Sequence, residues 1–537
     1  MTGAELFVEC LKSEGVERIF GVPGEENLQV LDALAHSGIE LVVTRHEQAA
    51  AFMAATFGRL TGKAGVCLST LGPGATNLLT GVAYANLGAM PLVAITGQKP
   101  IRESKQGRFQ ILDIVDMMQP VTKMSRQLDG ADMIAASVRE AFRTAQSERP
   151  GATHLELPED IAEEETTKTP LPASLSRRPL VEEKALNAAV DCLRQAKRPL
   201  LIIGAGANRK KTCQSLSRLV SQRALFFSNT QMGKGVVSED SPYFLGTCAW
   251  SSGDYVHQAV EEADVILLVG HDVVEKPPFF MERGGREIIH LNYVEASVDP
   301  VYFPQLELVG DIADAVDRLN QALSGHGGWD QTIFQKARDR TRESVAQQAV
   351  KADFPIHPAR LVADLRSLLG PDDVVALDNG LYKLWFARNY RAQRSNSLLL
   401  DNALASMGAG LPSALAAKLV KPQSAVVSVC GDGGFFMNSP ELETAVRLKL
   451  DLVVLVLRDD ALGMIKAKQK DMGFQDYGLD IGNPDLVKYA EAYGARGTRV
   501  ESVESFRSIV KEALEAGGVW IVDVPIHYDD TAKPILS

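Results

Sequence analysis

The chain has 537 residues, 45% apolar and 23% charged, and its 56 Lys and Arg against 68 Asp and Glu give a formal net charge of −12. That composition excludes a disordered, collagenous or low-complexity protein. The acidic balance argues against a nucleic-acid or anionic-membrane surface, because both need clustered positive charge.

No window approaches the roughly 18 uninterrupted apolar residues of a membrane span. The opening Met1-Thr2-Gly3-Ala4-Glu5 lacks the basic and apolar regions of a secretory leader. Cysteines at 10, 67, 192, 213, 248 and 430 form no CxxC pair. Neither a disulfide framework nor a structural zinc site is expected, and a reducing cytoplasm is the natural compartment.

In chain order, continuous Val/Ile/Leu runs predict buried strands at 41–44, 65–69 and 92–96, then at 200–203, 265–269 and 288–292, then at 374–376, 425–430 and 452–457. Longer helical stretches separate them. This alternation predicts α/β architecture, with parallel sheets covered on both faces. Residues 166–180 (TTKTPLPASLSRRPL) have no hydrophobic period and predict a surface linker. Residues 324–329 (SGHGGW) mark a second break, followed by a charged helix near 331–350. The expected units are 1–165, 182–325 and 350–537, each a doubly wound parallel-sheet domain of ordinary size. Residues 201–206 (LIIGAG) run from a strand into a Gly-x-Gly turn. That reads as a weak dinucleotide signal or as a packing turn, with the packing turn favoured.

The most informative segment is 426–464. A strand ends at Cys430, and Gly431, Gly433 and Gly434 predict a tight turn around Asp432. A helix is expected next, capped at Ser439-Pro440-Glu441, then a second strand and Arg458-Asp459-Asp460. Glycines let a backbone approach a phosphate, and helix N-terminal amides favour an anion. Asp432 repels a phosphate but can hold a hard divalent cation that neutralises it, with Asp459 as a second oxygen ligand. Gly-Asp-Gly alone is also an ordinary turn. The strand before it, the helix after it and the acidic pair 27 positions on favour the metal–diphosphate reading.

That motif resembles the diphosphate motif of thiamine-diphosphate-dependent enzymes. Gly21-Val22-Pro23-Gly24, Arg45-His46-Glu47, 49–63 (AAAFMAATFGRLTGK), 69–77 (STLGPGATN), Ile95-Thr96-Gly97-Gln98, Arg149-Pro150-Gly151 and Leu157-Pro158-Glu159-Asp160 resemble the acetolactate synthase group in the same order. The resemblance is closest to the catabolic, FAD-independent type. It implies an N-terminal pyrimidine-binding domain, a central domain and a C-terminal diphosphate-binding domain, with thiamine diphosphate clamped between subunits of a homodimer or homotetramer.

On this resemblance Glu47 and Gln110 are the catalytic pair. Glu47 would hold a proton on the aminopyrimidine ring nitrogen, and Gln110 would polarise a substrate oxygen. Gly24, Thr70 and Asn77 would line the cofactor site from the first domain, and Asn379 and Gly380 would contact the diphosphate. Met407 would wedge under the cofactor and force it to bend. Gly431, Asp432, Gly433, Gly434, Leu462, Gly463 and Met464 would complete the cofactor contacts. Mg²⁺ would be held by Asp432, Asp459 and the backbone carbonyl of Ala461.

Departures refine the group. The turn reads Arg458-Asp459 rather than Asn-Asn, and Lys468 stands where the biosynthetic enzymes have Trp. Residues 269–278 (VGHDVVEKPP) look like the catabolic type, and Thr247-Cys248-Ala249-Trp250 replaces the FAD-contacting stretch, which argues against FAD. The expected reaction decarboxylates pyruvate and ligates the two-carbon carbanion to a second 2-oxo acid. Another 2-oxo acid carboligase, of sulfoacetaldehyde acetyltransferase type, is the alternative, with Lys276 and Lys468 favouring an anionic acceptor. A non-catalytic fold relative is the third reading, and Glu47 together with Asp432 speaks against it.

Overall fold

A computed structural model describes residues 1–102, 107–174, 177–249, 254–275, 277–279 and 281–528. Trp250 and Lys276, both singled out above, lie outside them. The described residues form three six-stranded sheets, and every ladder in them is parallel.

The first sheet runs, edge to edge, Glu40–Val43, Arg18–Gly21, Gly65–Ser69, Leu92–Gln98, Ala152–Pro158 and Met124–Gln127. The third runs Leu398–Leu399, Val374–Leu377, Val426–Gly431, Leu452–Arg458, Val519–Pro525 and Arg496–Arg499. Numbered within each domain, both have the order 2-1-3-4-6-5. The middle sheet runs Leu306–Val309, Glu287–Asn292, Val265–Val269, Pro199–Ile203, Phe227–Asn229 and Phe244–Thr247. Its order is 3-2-1-4-5-6 read from the other edge, the arrangement of two mononucleotide-binding halves.

Burial explains these strands. Gly65–Ser69, Leu92–Gln98 and Ala152–Pro158 are buried at every position, as parallel strands covered on both faces must be. Some edge strands carry mixed sequences and are only partly buried, such as Arg-Gly-Thr-Arg at 496–499 and Met-Ser-Arg-Gln at 124–127.

The first and third domains share one core. The helix Glu47–Thr61 is buried at Ala49–Ala55 and packs against the helices Pro73–Leu87 and Gly410–Val420. Its run of alanines lets the helices come close, and Thr56 and Ser413 hydroxyls meet across the contact at 3.0 Å. One apolar cluster therefore spans Phe52, Leu78, Leu415, Phe435 and Ile521. The middle domain has its own two clusters, one on each face of its sheet.

Residues 201–206 behave as a packing turn. A Cβ on Gly204 would stand 2.5 Å from the Gly270 carbonyl, and the following helix starts only at Lys210. No described helix is long and apolar enough to cross a membrane. All six cysteines are free thiols.

Candidate active site

Open α/β sheets bind ligands beyond the carboxyl ends of their strands, where the strand order reverses. In the first sheet that point lies between Arg18–Gly21 and Gly65–Ser69. In the third it lies between Val374–Leu377 and Val426–Gly431. The residues following these four strands are Val22-Pro23-Gly24, Thr70, Asp378-Asn379 and Asp432. The topology thus delivers most of the predicted site residues to two crevices.

At the first crevice, Gly24 packs so closely on Thr70 that a side chain at 24 would collide with it. The Thr70 hydroxyl donates to Glu26, whose carboxylate also takes Lys99 Nζ at 2.5 Å. Glu26 and Lys99 are both buried. The Lys99 ammonium holds the Glu26 carboxyl below its ordinary range against the opposing effect of burial. Glu47 is the first residue of its helix and is 9% exposed. Asn77 Nδ2 donates to its Oε2 at 2.9 Å. A carboxylate in a first helical turn is favoured by the backbone N–H groups there. His46 caps this helix through Nδ1, which accepts from the Gln48 N–H, so it orders the helix start rather than the preceding strand end. Gln110 is exposed, in a left-handed conformation (φ 58°), with its carbonyl beside the Gly72 turn that opens the Asn77 helix.

At the second crevice one expectation is corrected. The 431–434 segment is not a tight turn. The strand continues through Gly431, and a helix Asp432–Asn438 begins at once. Ser439 caps nothing; its hydroxyl meets the Tyr489 hydroxyl at 2.7 Å, and a second helix runs Glu441–Arg447. The reason is packing. A Cβ on Gly434 would stand 2.7 Å from Asp378 Oδ2, and one on Gly433 would stand 3.2–3.3 Å from Leu462 and Met407. The glycines are there so that other groups can crowd a helix start.

Asp432 accepts the Gly433 and Asp460 N–H groups and Asn483 Nδ2. Asp459 is pushed up to about 7, first by burial and then by the Asp432 charge. Asp432 is raised as well, chiefly by burial. Two neighbouring carboxylates that repel one another, Asp432 buried and Asp459 half-buried, fit a divalent cation that a diphosphate would share. Asp460, held left-handed at φ 54°, donates its N–H to Asp432 and so ties the two strand ends together. Ala461 forms an isolated bridge with Asp480. Gly463 lies beside the Asp459 carboxylate, and Met464 is half-buried against the third domain's core. Asp378, fully buried and pushed up to about 6 by burial, accepts the Asn379 and Gly408 N–H groups. Asn379 Nδ2 donates to Ser406 O at 2.7 Å and so holds the segment carrying Met407. Gly380 packs on the Tyr382 ring.

The motifs did not disclose several participants. Tyr382 accepts the Gly431 N–H at 2.9 Å, and Lys383 Nζ donates to Asn379 Oδ1 at 2.6 Å. The signal was a lone Lys in the apolar run Leu-Tyr-Lys-Leu-Trp-Phe. Glu441 is fully buried and accepts the Arg45 and His46 N–H groups at 2.9 and 3.1 Å, reaching from the third domain to the start of the Glu47 helix. Asn438 Nδ2 donates to both Gly408 O and Gln48 Oε1. Asn483 lies too far along the chain for any local pattern to include it.

A cavity of about 1370 Å³ lies elsewhere, between the three domains. It is lined in part by Arg59, Arg149, Arg209, His271, Asp272 and Tyr293. Arg149 clamps Asp272 at 2.8 and 3.0 Å across it. Neither Glu47 nor Asp432 borders this cavity, so the chemistry is placed by the crevices rather than by cavity size.

Comparison with known proteins agrees with this geometry. The family models described as thiamine pyrophosphate enzyme, N-terminal TPP binding domain, central domain and C-terminal TPP binding domain match residues 1–117, 186–319 and 378–524. The chain is 36% identical to "Acetolactate synthase" of Bacillus subtilis, over 98% of this chain and 94% of that protein. It is 33% identical to "Acetolactate synthase, catabolic" of Raoultella terrigena, covering 99% and 96%. It is 30% identical to "Acetolactate synthase isozyme 2 large subunit" of Escherichia coli, covering 100% and 97%.

Proposed function

The chain belongs to the thiamine pyrophosphate enzyme family, and from that premise we propose that it is an acetolactate synthase-type carboligase. It decarboxylates pyruvate and transfers the two-carbon unit to a second 2-oxo acid, giving acetolactate when that acceptor is pyruvate. The observation that carries this reading is that both half-sites are complete: buried Glu47 with Asn77 in one, and Asp432 with Asp459 in the other. The domain limits 1–165, 182–325 and 350–537 are kept as part of the proposal.

Thiamine diphosphate supplies, when bound, a carbon acid and the electron sink that decarboxylation of a 2-oxo acid requires. Glu47 holds a proton at the aminopyrimidine ring nitrogen. Asn77 occupies Oε2, which leaves Oε1 for that task. Asp432, Asp459 and the Ala461 carbonyl would hold Mg²⁺, whose charge would offset the burial and the Asp432 repulsion that raise Asp459. Asn379, Gly380, Gly431, Gly433 and Gly434, with Leu462, Gly463 and Met464, receive the diphosphate. Met407, resting over Gly433, sets the cofactor's bend. Gly24 and Thr70 shape the pyrimidine side, and Gln110 orients a substrate oxygen.

Several features support a homodimer. Within one chain Gln48 meets Asn438, at the far end of the helix that starts at Asp432. At 1.5 Å per residue that helix separates the two by about 9 Å. A second copy supplies the complementary half of each site. Exposed Phe109 beside Gln110, with Met437, Ile465 and Phe474 along the third domain, gives such a contact apolar surface.

The test is product analysis. Purified protein given pyruvate, thiamine diphosphate and Mg²⁺ forms acetolactate and CO₂, and a chelator stops it. Turnover of another 2-oxo acid without acetolactate from pyruvate overturns the substrate assignment. Unchanged turnover in Glu47→Gln overturns the mechanism.

A further inference from the structure

Lys383 opens the helix Lys383–Asn389, four residues after Asn379, and it is 8% exposed. Its ammonium makes three hydrogen bonds, to Asn379 Oδ1 at 2.6 Å, Asp401 O at 3.0 Å and Asn402 Oδ1 at 3.3 Å. All three acceptors are neutral oxygens. The two nearest carboxylates are engaged otherwise: Asp378 accepts the Asn379 and Gly408 N–H groups, and Asp401 accepts those of Ala403 and Ala405. No carboxylate among the described residues stands within ion-pair distance of Nζ. Burial accordingly pulls the Lys383 ammonium below its ordinary range.

Burying a cation without a contacting counter-ion is costly, and an anion bound beside it relieves that cost. Among the described residues, buried Lys234 and Lys99 stand in closed pairs with Glu239 and Glu26, whereas Lys418, like Lys383, meets a neutral oxygen, the Ser424 carbonyl. What sets Lys383 apart is its place: the group it grips hardest, Asn379, also holds Ser406 and through it the Met407 segment.

We propose that Lys383 is the internal cation for the cofactor's diphosphate and the positioning residue for Asn379 and the Met407 loop. Asp378, Asp432 and Asp459 crowd this crevice with acid, and one divalent cation does not offset them together with a diphosphate. Lys383 supplies positive charge from below while its three hydrogen bonds fix where that charge sits. The inference rests on the thiamine diphosphate reading above.

The experiment measures thiamine diphosphate binding to the full-length apoprotein by calorimetry at fixed Mg²⁺. Lys383→Gln, which keeps a donor for Asn379 and removes the charge, weakens binding at least tenfold, and Lys383→Arg stays within threefold of wild type. A smaller loss in K383Q, or a K383R as weak as K383Q, overturns the proposal. Asn402→Asp provides an independent arm, which decides the matter if K383Q fails to fold. It places a carboxylate on the ammonium, so the apoprotein's unfolding midpoint rises while cofactor affinity falls. An apo midpoint that stays level or drops overturns the uncompensated charge. Wild-type protein that binds no thiamine diphosphate defeats the functional reading itself, whereas normal wild-type binding with unaltered K383Q defeats only this inference.

Discussion

Glu441 joins the two half-sites within a chain, and truncating it is a direct test of how Glu47 is held. Its Oε1 accepts the Arg45 and His46 N–H groups, and its Oε2 accepts the Thr444 hydroxyl at 2.6 Å. In Glu441→Ala two backbone donors lose their acceptor. A buried orphaned donor costs about 1–3 kcal/mol. The side chains of Arg45 and His46 are exposed, so water reaches these amides and the lower end applies, about 2 kcal/mol for the pair. Glu441→Gln keeps one oxygen for both amides, and the Thr444 hydroxyl can turn to accept from the new NH₂. Burial already raises the Glu441 pKa, so the neutral isostere gives up little and changes stability by less than about 1 kcal/mol. Urea unfolding of the apoprotein, followed by circular dichroism, reads these differences as midpoint shifts at constant slope. Carboligation assays on the same proteins show kcat at least tenfold lower in E441A and near wild type in E441Q, because the start of the Glu47 helix loses its anchor. E441A with wild-type midpoint and kcat refutes the reasoning. E441Q as impaired as E441A shows that charge, not acceptor geometry, matters.

Glu47→Gln lowers kcat by more than about a hundredfold, the range of general acid–base effects, while calorimetry shows thiamine diphosphate still bound. Asp432→Glu and Asp459→Asn each raise the Mg²⁺ concentration needed for cofactor binding without unfolding the apoprotein, as titration by tryptophan fluorescence will show. Glu156, raised to about 7 by burial against the Gln98 and Gln127 amides that hold it down, binds a proton more readily folded than unfolded between pH 4.5 and 7. Its contribution is therefore most favourable below pH 4.5, is lost as pH rises through 7, and amounts to about 3 kcal/mol. Glu156→Gln flattens that dependence, and unfolding midpoints at pH 5.5 and 8 for both proteins test it. Gly434→Ala drives a methyl into the Asp378 carboxylate, 2.7 Å away, and costs about 1–3 kcal/mol with loss of cofactor affinity. An unaffected G434A shows that Asp378 has room to move.

Sequence patterning located strands with unbroken Val/Ile/Leu runs, such as Leu92–Gln98 and Leu452–Arg458, where burial on both faces leaves only apolar choices, and the edge strand near 41–44. It passed over the buried central strands Ala152–Pro158 and Val519–Pro525, whose runs are broken by polar residues. Edge strands such as Met124–Gln127 and Arg496–Arg499 carry ordinary polar sequence, because half of each is solvated, and only the ladder reveals them. The same division holds at the site. Gly24, Glu47, Thr70, Asn77, Asp432 and Asp459 stand in local motifs, because a crevice at a strand end recruits the few residues that follow that strand. The helix at Asp432 escaped because glycines read as a turn, whereas here their lack of a Cβ admits Asp378, Met407 and Leu462 from elsewhere in the chain.

By itself the sequence determined the α/β class, the three-part organisation and the chemistry of two acidic motifs, since each rests on residues adjacent along the chain. Only the tertiary structure decided that the strand orders of the first and third domains coincide. It alone placed Glu441 on the Glu47 helix across about four hundred residues, and left the Lys383 ammonium buried in contact with neutral oxygens only. Burial and hydrogen-bond satisfaction are properties of what surrounds a group in space, and no periodicity along a chain encodes which distant segment will provide it.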